Sequence, residues 1–484
     1  MAAPTIFYRP MVRPWALAAP VAVLLLCVPL LRPLRQPTAL SVDEALRLAT
    51  IRALLDHGSL NLTATPTTAA ANASSTSTTE HAAPTPATTA ATAPGTDEID
   101  VNLSIPAADL PESANRTAML RHMILSHGRL YSEQPPVMAL ILAPITWLLE
   151  HLGLVSHHDP ASGAYVLTLL CVTMPVALGA GMIYRMGRLL ELPRHWRAGL
   201  ALATVLASGL ICFATVLNAH APAAALLLLS AAMLLQVETG TTPAPATQRA
   251  LWLLLCGGAA SLAAVLDPPA AVVAVLIFLS VPATRFGGRW RIAGVLVFLI
   301  GAAPPLLLHA QWNVPITGDL LPAEFHRELA LIRPVTAPPP IVVSSDSDEQ
   351  TSSALQSLIV TGDWLYQALF GFHGILSHFP FVLLGLFGIV VIMHRHWPAH
   401  VKCLAAASVI AAIAIIGGYC WARADWRGQA VICPWFVCFL PLLTFWSGAW
   451  LRRPHPRWAW IIAALLLAYS CAVALYHLPS PALG

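Results

Sequence analysis

The chain has 484 residues, 57% hydrophobic and only 10% charged, with a formal net charge of +3 and a mean hydropathy of +0.69. Soluble domains carry about 25% charged residues, so the composition excludes a soluble globular enzyme, and with no basic tract nucleic acid is not an expected partner. The chain reads as an all-α polytopic membrane protein, with the lipid bilayer as its first partner.

In chain order, Arg9 and Arg13 precede an apolar run at 15–31. No small-x-small cleavage site follows, and Pro20 and Pro29 interrupt the run, so it reads as an uncleaved first helix rather than a signal peptide. Residues 41–58 follow as one predicted helix. Ser41 suits its N-cap, Glu44 stands three residues on as a capping box, and Gly58 suits its left-handed stop. Leu48, Ile51 and Leu55 form an apolar stripe that suits a bilayer surface, and Asp43 is spaced to pair with Arg47. The Thr/Ala/Pro-rich tract at 63–96 cannot bury a core and is expected to be disordered. The stretch from Gly128 to Pro136 ends in Tyr131-Ser132-Glu133-Gln134-Pro135-Pro136, where two prolines demand an extended approach and a clean helix start.

Further apolar runs sit near 137–153, 164–184, 198–216, 220–236, 250–266, 268–283, 291–310, 379–394, 401–420, 430–449 and 458–478. Two long polar segments, 32–136 and 311–375, interrupt them. The cysteines all fall in or beside apolar runs and read as small core hydrophobes.

Charge sets the expected orientation. With the N-terminus inside, the short loops bearing Arg185/Arg188/Arg194/Arg197, Arg285/Arg289/Arg291, Arg395/Lys402 and Arg452/Arg453/Arg457 should also be inside. They all fall there if 137–153 lies along the membrane surface and does not cross. The expectation is thus about eleven transmembrane helices from about twelve apolar runs, with two long extracytoplasmic segments. The corresponding divisions are 1–31, a cytoplasmic N-terminus and first helix; 32–163, a first outer loop with surface helices; 164–310, a membrane bundle; 311–378, a second outer segment; and 379–484, the C-terminal helices.

This arrangement puts several polar groups at one face. Asp43 and Glu44 are candidate catalytic carboxylates, although local pattern alone equally makes Glu44 a helix cap and Asp43 a dipole partner. Tyr131, Glu133 and Gln134 stand on the proline elbow. His220 and Asp267 begin apolar runs, and ionisable residues at membrane depth are functional candidates, with solvated end or helix cap as the plainer alternative. His373 lies in the Gly/His/aromatic segment 369–380, its spacing to His378 unsuited to a metal site on one helix. Arg423 and Arg427 suit bidentate phosphate binding, or a simple pairing with Asp425.

Taken together, Ser41-Val42-Asp43-Glu44, Leu55-Asp56-His57-Gly58-Ser59-Leu60 and Tyr131-Ser132-Glu133-Gln134-Pro135-Pro136 resemble the GT-C superfamily of polyprenyl-phosphate-sugar glycosyltransferases, in its protein O-mannosyltransferase and aminoarabinose transferase branch. Weaker echoes are Thr215-Val216-Leu217-Asn218-Ala219-His220, Gly371-Phe372-His373-Gly374-Ile375-Leu376-Ser377 and Asp425-Trp426-Arg427-Gly428-Gln429. The resemblance implies an enzyme of the cell membrane that moves a sugar from a polyprenyl-phosphate donor to an acceptor hydroxyl on the extracytoplasmic face, with Asp43 as base or orienter and Glu44 beside it. It leaves a divalent cation as a possible cofactor. The family's lysine before the two prolines is Gln134 here, and the arginine many relatives carry after the glycine-rich outer segment is absent from Ile432-Cys433-Pro434-Trp435. The rival readings are a transporter or flippase of a lipid-linked substrate, which would need mid-helix charges and internal repeats, and a non-catalytic membrane scaffold.

Overall fold

A computed structural model describes residues 14–31, 41–62, 122–155, 160–237, 245–284, 290–326, 349–371, 374–422 and 432–478. The 63–96 tract and three candidate site residues, His373, Arg423 and Arg427, lie outside the described residues.

The apolar runs fold as helices: α1 (Pro14–Cys27), α3 (Pro136–His151), α4 (Ala161–Met186), α5 (Arg194–Leu206), α6 (Leu210–Phe213), α7 (His220–Gln236), α8 (Ala246–Leu266), α9 (Pro268–Ser280), α10 (Trp290–Thr317), α13 (Val382–Met393), α14 (Ala399–Ala422), α15 (Leu440–Phe445), α16 (Ser447–Leu451) and α17 (Arg457–His477). Between the first two lies α2 (Val42–His57), and the later polar segment supplies α11 (Glu349–Phe370) and the short α12 (Ile375–His378). The chain is thus a helical protein with many apolar helices, as membrane residence requires.

Length divides these helices. Five of them, α4, α8, α10, α14 and α17, are long and apolar enough to cross a membrane unaided. The segments Trp15–Leu30, Pro136–His151, His220–Gln236, Pro268–Ala283 and Leu440–Leu451 are apolar but shorter. The physical reason is punctuation within the runs. Gly209, at φ 74°, ends the 198–216 run as two helices, and Pro441 opens a short one. Helix α3 has 16 residues, about 24 Å at 1.5 Å per residue, short of the roughly 30 Å hydrocarbon core.

Three expectations are adjusted. The fold is not purely helical: β1 (Met123–Ser126) and β2 (Arg129–Ser132) form an antiparallel hairpin, with Tyr131 opposite Ile124. Its turn, His127-Gly128, has φ of 52° and 74°, the two left-handed residues that suit a tight hairpin. Four-residue strands leave little periodicity to read. Second, α10 continues to Thr317, beyond the expected end of the bundle near 310, with Pro304, Pro305 and Pro315 inside it. Third, α2 does not offer its apolar stripe to lipid alone. Leu48, Ile51 and Leu55 pack on the main core, while Leu46 and Ala53 pack with Leu62, Met123 and Leu130 of the hairpin region.

The main core runs through α1, α4, α5, α7, α8 and the C-terminal helices. Helices α8 and α10 pack tightly within it, where Gly257 faces the Phe298 carbonyl and Gly301 faces the Leu254 carbonyl. Small residues at such contacts let helix backbones approach where water exclusion supplies no driving force. At one end of the bundle the arginine-bearing turns meet: Arg452 bonds Glu191, and Trp196, Trp450, His455 and Trp460 stack together. At the other end lie the start of α2, the proline elbow, the turn before α7 and the α8–α9 junction.

Candidate active site

Local rules build α2 as the sequence predicts. Ser41 is extended (φ −68°, ψ 159°), its Oγ accepts from Glu44 N at 3.2 Å, and its own N and Oγ each donate to Glu44 Oε2 at 3.0 Å. Gly58 closes the helix in the left-handed region, donating to Leu54 O. Arg52 Nη2 then donates to Glu150 Oε1 at 2.9 Å and ties α2 to α3.

Glu44 does more than cap. It is only 1% exposed, and its second oxygen, Oε1, accepts from Leu217 N at 3.0 Å. That bond anchors the start of α2 to the turn before α7. Asn218 shapes the same turn, donating to Phe213 O at 2.5 Å and Val216 O at 2.8 Å and accepting from Ala221 N at 2.9 Å. With both oxygens engaged by backbone and serine, Glu44 is suited to positioning, not to proton exchange.

Asp43 points the other way. It is exposed, and Gln134 Nε2 donates to its Oδ1 at 3.0 Å across 91 residues of sequence. The proline elbow makes this possible. Pro135 (φ −55°, ψ 130°) precedes Pro136 at the first turn of α3, and Gln134 N donates to Ser132 Oγ at 3.2 Å. Next to it, Glu133 N donates to His122 O at 3.0 Å, and the His122 and Glu133 side chains share a close hydrogen-bonding contact. The expected Asp43–Arg47 helix pair is not formed: Asp43 is taken by Gln134, because its first-turn position faces the elbow and not along the helix.

Arg47 was not a candidate, and its environment is the most unusual in the site. It is 7% exposed; its Nε is sealed from water without a hydrogen-bond partner, and no described carboxylate pairs with it at ion-pair distance. Burial pulls its pKa below the ordinary value, opposed in decreasing order by the charges of Asp43, Asp267, Glu44 and Glu324. A buried guanidinium without a close counter-charge costs several kcal/mol. Its burial on a helix face gives no sequence signal beyond an arginine at an apolar position.

His220 and Asp267, expected at helix ends, are brought together. His220 Nδ1 lies 3.1 Å from Asp267 Oδ1, at ion-pair distance but off the line of a hydrogen bond. Asp267 is 1% exposed, makes no side-chain cap for α9, and leaves Oδ2 sealed without a partner. The capping alternative therefore does not describe it. A further carboxyl missed from sequence, Glu324, follows the bend after α10. Burial, with Asp267 and Glu133 nearby, pushes it up to about 8 against the opposing pull of Arg47.

Tyr131, Gln134, Pro136, Asn313 and Ile316 line a cleft beside the Asp43–Gln134 bond. An adjoining cleft shares Tyr131 and Ile316 and adds Ser59, Gln311 and Trp312. Among the described residues no three His, Cys, Asp or Glu side chains are grouped as metal ligands, so these residues alone do not compose a divalent-cation site. His378, beyond the undescribed His373, bonds locally with Ser377 and the Gly374 carbonyl.

No family model matches the chain, and no curated protein matches it. Among solved structures it is similar to ArnT from Cupriavidus metallidurans in the apo state, at 18% identity and a TM-score of 0.37, covering 69% of this chain and 52% of that one. It is similar too to the archaeal oligosaccharyltransferase AglB from Archaeoglobus fulgidus in complex with an inhibitory peptide and a dolichol-phosphate, at 12% identity and a TM-score of 0.41, covering 74% and 48%. The apo form of the A. fulgidus oligosaccharyltransferase matches at 12% identity and a TM-score of 0.40, covering 75% and 49%. The matched region spans about half the length of each of these structures. At these identities and TM-scores the likeness assigns no role to any residue.

Proposed function

We propose that the chain is a membrane glycosyltransferase that moves a sugar from a polyprenyl-phosphate donor to an acceptor hydroxyl at the extracytoplasmic face. The observation that carries this reading is the pairing of an exposed carboxylate, Asp43, held by Gln134, with a buried guanidinium, Arg47, that has no close counter-charge, one helical turn away on α2. A donor of this kind keeps its tail in lipid and its phosphosugar at the boundary, the position this reading gives to Asp43 and Arg47.

In this reading Asp43 accepts the proton of the acceptor hydroxyl as its oxygen attacks the anomeric carbon. The bond from that carbon to the donor phosphate breaks, and the electron pair leaves on the phosphate oxygen. Arg47 steadies the departing phosphate by charge in a partly dry site, and Arg423 and Arg427 are candidates to assist. Gln134 orients the base. Tyr131 lines the acceptor or sugar cleft, and Glu133 braces the elbow through His122. His220 and Asp267 sit behind the site as a close pair of polar side chains.

The test is transfer from polyprenyl-phosphate sugars in membranes containing wild type or Asp43→Asn at equal expression. Loss of transfer in the variant is expected. Full transfer by Asp43→Asn sinks the assignment of the base, and no transfer by wild type from any such donor sinks the function.

A further inference from the structure

Three elements close on the cleft that adjoins the Asp43–Gln134 bond. Ser59 follows α2, Tyr131 stands on β2, and Gln311, Trp312, Pro315 and Ile316 belong to the end of α10. Hydrogen bonds hold these walls together. Ser126 Oγ on β1 donates to Ile316 O at 2.6 Å and fixes the hairpin to α10. Leu62 N donates to Leu130 O at 2.7 Å, so the chain leaving α2 runs beside β2. Asn61 N donates to Ser59 Oγ at 3.2 Å and shapes that exit.

The cleft holds about 260 Å³, room for one sugar ring. Its lining is aromatic and polar at once. Among the described residues the Tyr131 hydroxyl, the Gln311 amide and the Trp312 indole N–H have no hydrogen-bond partner. Pro315 lies inside α10 and gives no N–H to the Gln311 carbonyl one turn back, so that carbonyl lacks its usual helix donor. The cleft continues, through Tyr131 and Ile316, into the one that Gln134 lines. None of the residues lining either cleft is charged. A phosphate, carboxylate or ammonium group placed there would lose water and gain no counter-charge. A neutral sugar ring matches both features. Its C–H faces suit indole and phenol rings, and its hydroxyls suit a few polar groups set in an apolar wall.

We propose that this cleft binds an uncharged sugar ring, with Trp312 and Tyr131 against its C–H faces and Gln311 and Ser59 on its hydroxyls. The proposal deepens the glycosyltransferase reading and rests on it. It makes the sugar a neutral one, and neither an amino sugar nor a uronic acid. Donor and acceptor sugars present the same chemistry to these side chains, and the experiment separates them.

The full chain in lipid nanodiscs is probed by saturation-transfer NMR, which reads sugar contact without turnover. Methyl glucoside, methyl galactoside and methyl mannoside are the neutral rings; methyl glucosaminide and methyl glucuronide are the charged ones. At least one neutral ring should bind, about tenfold more tightly than either charged ring. Trp312→Ala should weaken that binding about tenfold, and Trp312→Phe should restore part of it. Trp312 also packs on the main core, so Gln311→Ala, at an exposed position, is the second variant and should weaken binding too. No binding of any neutral ring, equal or tighter binding of a charged one, or unchanged binding in folded Trp312→Ala or in Gln311→Ala overturns the proposal. Polyprenyl phosphate carrying the same neutral ring is then added. Displacement of the glycoside assigns the cleft to the donor's ring, and a glycoside that stays bound assigns it to the acceptor's. Displacement by sugar-free polyprenyl phosphate overturns the proposal, because the cleft then takes the lipid. A protein that binds the neutral ring through these residues yet transfers no sugar refutes the enzymatic reading alone, whereas transfer without this binding refutes only the cleft.

Discussion

Neighbouring carboxylates on α2 should give opposite results when altered. Glu44→Ala removes the two bonds from Ser41 and leaves Leu217 N–H buried without an acceptor. Loss of a helix cap costs about 1 kcal/mol, and a buried, unmade backbone bond about 1–3 kcal/mol. The sum, about 2–4 kcal/mol, should lower the thermal unfolding midpoint in nanodiscs by roughly 2–4 °C. Asp43→Asn keeps an oxygen to accept from Gln134 Nε2 at an exposed position, so its stability should change by less than about 0.5 kcal/mol. Its transfer rate, by contrast, should fall about 100-fold to 10,000-fold, the usual contribution of a general base. Unfolding followed by tryptophan fluorescence and transfer measured on the same preparations decide the matter. Glu44→Gln with an unchanged midpoint and no transfer would refute the reasoning, since Glu44 would then act chemically.

Gln134→Ala frees the Asp43 carboxylate and should lower kcat about tenfold or more with KM little changed, as loss of orientation does; an altered KM alone points instead to substrate contact. Arg47→Leu removes a buried charge that has no close partner, so the midpoint should hold or rise, as when buried ions are replaced by apolar groups, while donor affinity collapses; a destabilised variant contradicts the view that the guanidinium lacks a counter-charge. Gly301→Val places a Cβ 2.0 Å from the Leu254 carbonyl oxygen, an overpacking of about 1–3 kcal/mol or more, and should reduce folded yield, while Gly362→Val, with nothing within 4 Å, serves as the control that should not. Glu324 carries a pKa raised to about 8 over an unfolded value near 4.3. Its contribution is fully present below the unfolded value and is lost as pH rises to about 8. Wild-type unfolding midpoints should therefore decline over that window more steeply than those of Glu324→Gln.

Much of the framework is legible from residue types. Apolar runs give helices wherever Gly or Pro does not cut them, and Ser41, Glu44 and Gly58 set both ends of α2 because caps depend on neighbours within a few residues. The Pro135-Pro136 elbow starts α3 as expected for the same reason. The hairpin was hidden because four-residue strands carry too little alternation, and the division of the 198–216 run because one left-handed glycine outweighs the apolar pattern.

The candidate site divides along the same line. Sequence alone marks Asp43, Glu44, Gln134, His220 and Asp267 as unusual polar groups beside a membrane, since charge in an apolar chain stands out wherever it falls. Only the tertiary structure joins Gln134 to Asp43, turns Glu44 to Leu217, pairs His220 with Asp267, and leaves Arg47 buried and one Glu324 oxygen sealed without a partner. These encounters cross tens to hundreds of residues, and no local rule of period, cap or turn encodes them. They are set by which helices pack together, a global balance of close contact and satisfied polar groups that the order of residues carries only implicitly.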